Sequence, residues 1–131
     1  MKTKILTGLL IIFCFGVFHS AEAAPAEQIT LRVGNQTTLF RRDLTVQFVS
    51  VLDDSRCPRG TQCITAGNAT IRVRIRQGSR PWRTLDIKLD GNNSIEFFRG
   101  YRIDLLNLTP VPRENVRINR FQYRATLRIT R

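Results

Sequence analysis

Ile71-Arg72-Val73-Arg74-Ile75-Arg76 puts an apolar side chain at every second position and an arginine after each one. Successive side chains on a strand point to opposite faces, so this segment reads as a β-strand with one face in a core and the other in water. The same period runs outward in both directions. Downstream, Leu85, Ile87 and Leu89 alternate with Asp86 and Lys88; Tyr101, Ile103 and Leu105 alternate with Arg102 and Asp104; Tyr123, Ala125, Leu127 and Ile129 alternate with Arg124, Thr126 and Arg128. Upstream, Ile29, Leu31 and Val33 alternate with Thr30 and Arg32, and Leu44, Val46 and Phe48 with Thr45 and Gln47. One wet and one dry face per strand is the signature of antiparallel sheets.

Turn residues separate these runs: Gly34-Asn35, the segment from Gln77 to Pro81, Asp90-Gly91-Asn92-Asn93, Arg99-Gly100, and Thr109-Pro110-Val111-Pro112. Asp90-Gly91 is the strongest of them, because Asp-Gly supplies the positive φ that hairpins need. The expectation is all-β: a small antiparallel β-sandwich, or a barrel-like variant, of about seven or eight short strands. Residues 112–119 leave room for one helical turn. A hairpin of residues 71–76 with 84–89 across Pro81-Trp82 is expected to bring Arg74 near Asp86 on the wet face.

The first residues address the compartment. Lys2 and Lys4 precede an apolar run from Leu6 to Phe18, followed by Ala21-Glu22-Ala23 and Ala24-Pro25. A positive start, a short apolar stretch and a small-x-small site form a secretory signal, so residues 1–23 are expected to be cleaved and 24–131 to form one domain, exported to a periplasm or outside the cell. The apolar run is too short for a comfortable membrane span, and no later stretch in 24–131 is long enough for one. Bulky Ile11-Ile12-Phe13 before Cys14 argues against lipidation there.

Loss of the signal removes His19, the single histidine, and Cys14. Without histidine, Ser-His-Asp and Cys-His nucleophilic sites and histidine-based metal sites fall away. No glycine-rich phosphate loop follows a strand and opens a helix. Asp53 and Asp54 are sequence neighbours, which on a strand face opposite ways and make no catalytic dyad. Their place before Ser55 suits turn capping. No catalytic, cofactor-binding or metal-binding residues are expected. The remaining pair, Cys57 and Cys63, suits a disulfide in an oxidising compartment.

Around that pair runs Asp53-Asp54-Ser55-Arg56-Cys57-Pro58-Arg59-Gly60-Thr61-Gln62-Cys63-Ile64-Thr65-Ala66-Gly67. It resembles a signature of small exported bacterial proteins and lipoproteins: D-S-R-C-P, a short gap, then C-x-x-A-G and a strand, with a closing Tyr-x-Ala strand like Tyr123-Arg124-Ala125. Thr65 stands where that pattern often has an aromatic residue. The resemblance implies a fold and a compartment, and no activity. Physically, Pro58 stiffens the loop, Gly60 lets it turn, and Arg56 is placed to pair with Asp53 or a chain end. The segment serves either as a stapled crossing between strands or as a recognition loop. In the second case Arg59, on a rigid disulfide-closed loop, resembles in local chemistry the reactive loop of a serine-protease inhibitor.

The whole chain carries +11; Lys2, Lys4 and Glu22 together contribute +1, so residues 24–131 keep +10, nearly all of it arginine. Arg72, Arg74 and Arg76 lie on one face of a strand, about 6–7 Å apart. Arg124 and Arg128 repeat this on the last strand, and Arg80 and Arg83 flank Trp82 in a loop. If these strands share a sheet, they form a broad cationic surface for polyanions. Forked guanidinium donors suit phosphate, sulfate and carboxylate, and Trp82 suits stacking on a sugar or burial in an interface. The candidate partners are anionic lipid, lipopolysaccharide, an acidic glycan or a protein, nucleic acid being the poorer fit outside the cytoplasm. The plainer alternative is a solvated face with salt bridges to Asp86, Asp90 and Asp104. Asn35, Asn68, Asn92 and Asn107 match Asn-x-Ser/Thr and read as turn residues. The expected function is therefore a non-catalytic, exported binding domain using an arginine-rich sheet face. Its alternatives are a serine-protease inhibitor acting through Arg59 and a structural subunit that lends an edge strand.

Overall fold

The computed structural model describes residues 23–89 and 95–131. The expected export signal, apart from Ala23, and the Asp90-Gly91-Asn92-Asn93 turn lie outside the described residues. The periodic runs form eight strands: β1 (Ala26–Arg32), β2 (Gln36–Leu39), β3 (Leu44–Asp54), β4 (Ala69–Gln77), β5 (Arg83–Leu89), β6 (Ile95–Phe98), β7 (Tyr101–Thr109) and β8 (Arg124–Thr130). They build two antiparallel four-stranded sheets, ordered β1-β8-β7-β6 and β2-β3-β4-β5. The apolar face of each alternating strand turns toward the other sheet. Leu44, Val46, Phe48, Ile71, Val73, Ile75 and Ile87 from one sheet and Ile103, Leu105, Leu108, Ala125, Leu127 and Ile129 from the other are completely buried in a common core. Burying such side chains is the main favourable term, roughly 1.5–3 kcal/mol each.

β3 is the longest strand and pairs on both sides, but its alternation breaks twice, at Phe48/Ser50 and Val51/Asp53. Each bulge inserts a residue and reverses the faces, so the two together return β3 to its starting alternation, and Asp54 turns into the structure on the side of Leu44, Val46 and Phe48 while Asp53 faces out. A single such break at Leu105/Asn107 in β7 reverses the faces on the facing sheet.

Three local expectations change. β4 pairs with β5 so that Arg72 lies opposite Asp86 and Arg74 opposite Thr84. The loop from Gly78 to Trp82 sets this register, which places the ion pair one alternation earlier on β4 than the sequence suggested. β5 and β6 belong to different sheets. The strands that flank Asp90–Asn93 therefore do not pair with each other as a hairpin. The helical turn expected in 112–119 falls one step later, as a single 3-10 turn at Arg120–Gln122. Asn119 caps it: its side chain accepts from the Phe121 amide at 3.0 Å, and the Gln122 side chain accepts from the Asn119 amide at 3.0 Å.

Strict antiparallel pairing sorts the connections to two ends. One end gathers the Phe40–Asp43, Gly78–Trp82 and Arg99–Gly100 turns with Arg131. The other gathers the Gly34–Asn35 turn, the cysteine segment and residues 110–123.

Candidate functional site

The cysteine segment sits at the second end and is held from inside. Arg56 donates to both carboxylate oxygens of Asp54, Nε to Oδ1 and Nη2 to Oδ2, each at 2.7 Å. Its remaining donors reach the main-chain carbonyls of Leu108 and Pro110, the latter at 2.9 Å. Tyr123 donates its hydroxyl to Asp54 Oδ2 at 2.9 Å. Arg56 pairs with Asp54, not with Asp53 or a chain end, because Asp54 turns inward at the end of β3 while Asp53 faces out. Burial pushes the Asp54 carboxyl up, but the hydrogen bonds from Arg56 and Tyr123 outweigh it and hold the group below the ordinary 3.8. Burial, followed by the bond to Asp54, pushes the Tyr123 hydroxyl up to about 12. Sequence reading assigned no site role to this network.

Cys57 and Cys63 form a disulfide, with Cα atoms 5.9 Å apart. Main-chain bonds from Ser55 to Asn68 at 2.8 Å and from Cys57 to Ala66 at 2.9 Å zip the segment closed below the disulfide. The Arg59 side chain is exposed, yet its amide donates to the Pro112 carbonyl at 2.9 Å, and Arg59 bridges to Arg113. The loop therefore lies against residues 110–113.

The arginines divide differently from the expectation of one broad face. β4 and β8 lie in different sheets, so Arg72, Arg74 and Arg76 occupy one outer face of the sandwich and Arg124 and Arg128 the opposite one. On the first face, Arg72 is tied to Asp86 by two bonds at 2.7 and 2.8 Å. Arg74 and Arg76 instead lie over the ring of Trp82, their guanidinium carbons 4.9 and 4.7 Å from its centroid. These contacts are cation–π attractions, which leave the guanidinium edges available as donors. Nε of Arg76 is buried with no hydrogen-bond partner. Arg80 and Arg83 stand exposed on either side of Trp82. The row through Arg74 is polar across all four strands, running Gln36, Gln47, Arg74 and Thr84.

On the opposite face, Arg102 and Arg128 share the buried carboxylate of Asp104, at 3.1 and 3.0 Å. The salt bridges anticipated for Asp86 and Asp104 are thus present, and Asp90 lies outside the described residues. Arg124 faces Arg32 across the β1–β8 pairing.

A further cationic group escaped the sequence reading. Phe40, Arg41 and Arg42 take φ values of 48°, 55° and 73° in succession, a left-handed turn made without glycine. Asp43 ends the turn, accepting from the Tyr101 hydroxyl and from Gln77 at 3.1 Å, with Arg131 3.9 Å away. The Tyr101 hydrogen bond, then that of Gln77, lowers the Asp43 carboxyl below its ordinary value. An arginine doublet between two apolar runs was the available signal.

Among the described residues no three His, Cys, Asp or Glu side chains cluster as metal ligands, and no helix is long and apolar enough to cross a membrane. The fold and site together define a disulfide-stapled, two-sheet antiparallel β-sandwich with cationic outer faces. No family model, curated protein or solved structure matches the chain.

Proposed function

We propose that the protein is an exported, non-catalytic binding domain that recognises an anionic glycan or glycolipid of a cell envelope through the outer face of β2-β3-β4-β5, centred on Trp82. The observation that carries this is the placement of Arg74 and Arg76 over the Trp82 ring, with no carboxylate partner for either among the described residues. An aromatic face beside uncommitted guanidinium forks suits a sugar ring that bears phosphate, sulfate or carboxylate. The surrounding Gln36, Gln47 and Thr84 add neutral donors and acceptors suited to hydroxyl groups. Export is supported by the signal-like first residues and by the Cys57–Cys63 disulfide.

Lipopolysaccharide, a sulfated glycan and anionic phospholipid vesicles, each titrated across a salt series, test this reading. Saturable binding to a glycan ligand, weakening log-linearly with salt, is expected. Trp82→Ala and the pair Arg74→Gln/Arg76→Gln should each abolish most of it. Equal binding by wild type and these variants would overturn the assignment, and binding to vesicles alone would move it to lipid.

The inhibitor reading draws less support from the geometry. A substrate-like loop needs free main-chain groups to pair with a protease, and the Arg59 amide is already engaged by Pro112. No trypsin inhibition is expected.

A further inference from the structure

We propose a second, separate site on the opposite face: an oxyanion pocket between Arg32 and Arg124 that takes a phosphate or carboxylate group carried on a planar ring. Arg32 on β1 and Arg124 on β8 are directly paired, and Thr109 on β7 is the next residue in the same row. Residues paired across antiparallel strands project to the same side, with Cβ atoms about 5 Å apart. Two arginine side chains thus leave neighbouring positions on one face, and like charges so placed destabilise a sheet. Elsewhere on this face the arginines have an acidic partner, Arg102 and Arg128 sharing Asp104. Neither Arg32 nor Arg124 has an ion-pair partner among the described residues.

The pair lies in a groove of about 500 Å³ completed by Thr109, Pro110, Phe121 and Gln122, with no acidic side chain in its wall. Phe121 is 61% exposed, although it is a large apolar ring. The Arg120 guanidinium covers it at 4.7 Å, adding a third positive charge beside the groove. The double cap of Asn119 and Gln122 fixes the turn that carries this ring, and the Val33 amide bonds the Tyr123 carbonyl at 3.2 Å, tying the turn to β1. Two forks side by side match the oxygens of one oxyanion, whose charge relieves their repulsion. Phe121 and Pro110 offer an apolar wall for a flat body attached to it.

The test uses protein produced from the full chain, titrated with phenyl phosphate, benzoate and inorganic phosphate at constant ionic strength, followed by NMR and by thermal unfolding. Saturable binding is expected, with phenyl phosphate several-fold tighter than inorganic phosphate. Benzoate binding as well would assign the site to oxyanions in general, and its absence to phosphate. Arg32→Gln and Arg124→Gln should each weaken binding roughly tenfold or more while raising the unliganded melting temperature. Phe121→Ala should erase the preference for the ring yet keep inorganic phosphate. Trp82→Ala should change none of this, which separates failure here from failure of the Trp82 face. Undiminished binding in both arginine variants, no saturable binding by wild type, or a lowered melting temperature in both variants would overturn the proposal.

Discussion

Tyr123 donates its hydroxyl to Oδ2 of Asp54 at 2.9 Å, joining residues 69 apart in the chain at the entry to β8 and the end of β3. Asp54 is shared with Arg56, whose other donors hold the β7 exit through the Leu108 and Pro110 carbonyls. One carboxylate therefore clamps both sheets where the cysteine segment leaves them. The side chains of Arg56 and Asp54 are only 13% and 8% exposed, so removing one leaves the other charge buried and unpaired. Arg56→Ala and Asp54→Asn are each expected to cost roughly 3–5 kcal/mol. Tyr123→Phe, which deletes one bond to a charged acceptor, should cost about 1.5–3 kcal/mol. Urea unfolding of the three variants checks the order.

The same network predicts a stability plateau with two edges. Asp54 has a folded value below 3.8, so its contribution is present above the unfolded value and is lost as pH falls through the folded one. Tyr123 has a folded value of about 12 against an ordinary 10.0, so its contribution is complete below about pH 10 and is lost as pH rises toward 12. Tyr101 is raised as well, by burial and then by its bond to Asp43. Phenolate absorbance of the folded protein, which has only these two tyrosines, should therefore lag well past pH 10 and return to the ordinary range in denaturant. Titration near 10 in the folded state would contradict the burial of both hydroxyls.

Gly67 is the tightest point of the cysteine segment. Its φ is +68°, and a Cβ placed there would stand 1.8 Å from the Ser55 carbonyl oxygen, a main-chain atom that cannot swing aside. Gly67→Ala should cost roughly 3 kcal/mol or more, by strain and by separating the two arms of the loop. Replacing both Cys57 and Cys63 by serine should cost about 2–3 kcal/mol through the unfolded chain instead. Thermal melts of the two variants, with and without reductant, distinguish them: reduction destabilises Gly67→Ala further and leaves the serine variant unchanged.

Asp86 neutralises one arginine on the Trp82 face, through an exposed pair with Arg72. Asp86→Asn frees that guanidinium, so binding to a sulfated glycan should tighten and its log–log salt dependence should steepen by roughly one unit. Folding stability should stay near wild type, as exposed ion pairs add little. An unchanged salt slope would show that Arg72 lies outside the contact.

Period-two alternation was enough to read β1, β3, β4, β5, β7, β8 and most of the core, because a half-buried strand must alternate whatever it packs against, whereas β2 and β6, four residues each, are too short to show the period. It was also enough to pair β4 with β5. It could not supply the exact register: Arg72 meets Asp86 because of how the Gly78–Trp82 loop closes, a matter of loop geometry that no single strand encodes. Nor could Asp-Gly at 90–91 reveal that its flanking strands go to different sheets, since a turn signal specifies local φ and not the partner of the next strand.

The candidate sites divide along the same line. Charge, the lack of histidine after residue 23, and the spacing of Cys57 and Cys63 are properties of composition and order, and the sequence determined them alone. Tertiary structure decided which arginines act together. It sent β4 and β8 to opposite faces, stacked Arg74 and Arg76 on Trp82, and set Arg32 against Arg124. It also brought Asp54, at the end of β3, to a tyrosine that no local rule connects to it. The reason is physical: alternation fixes which side of its own strand a residue occupies, whereas neighbours across strands are chosen by pairing, bulges and the closing of two sheets on one core.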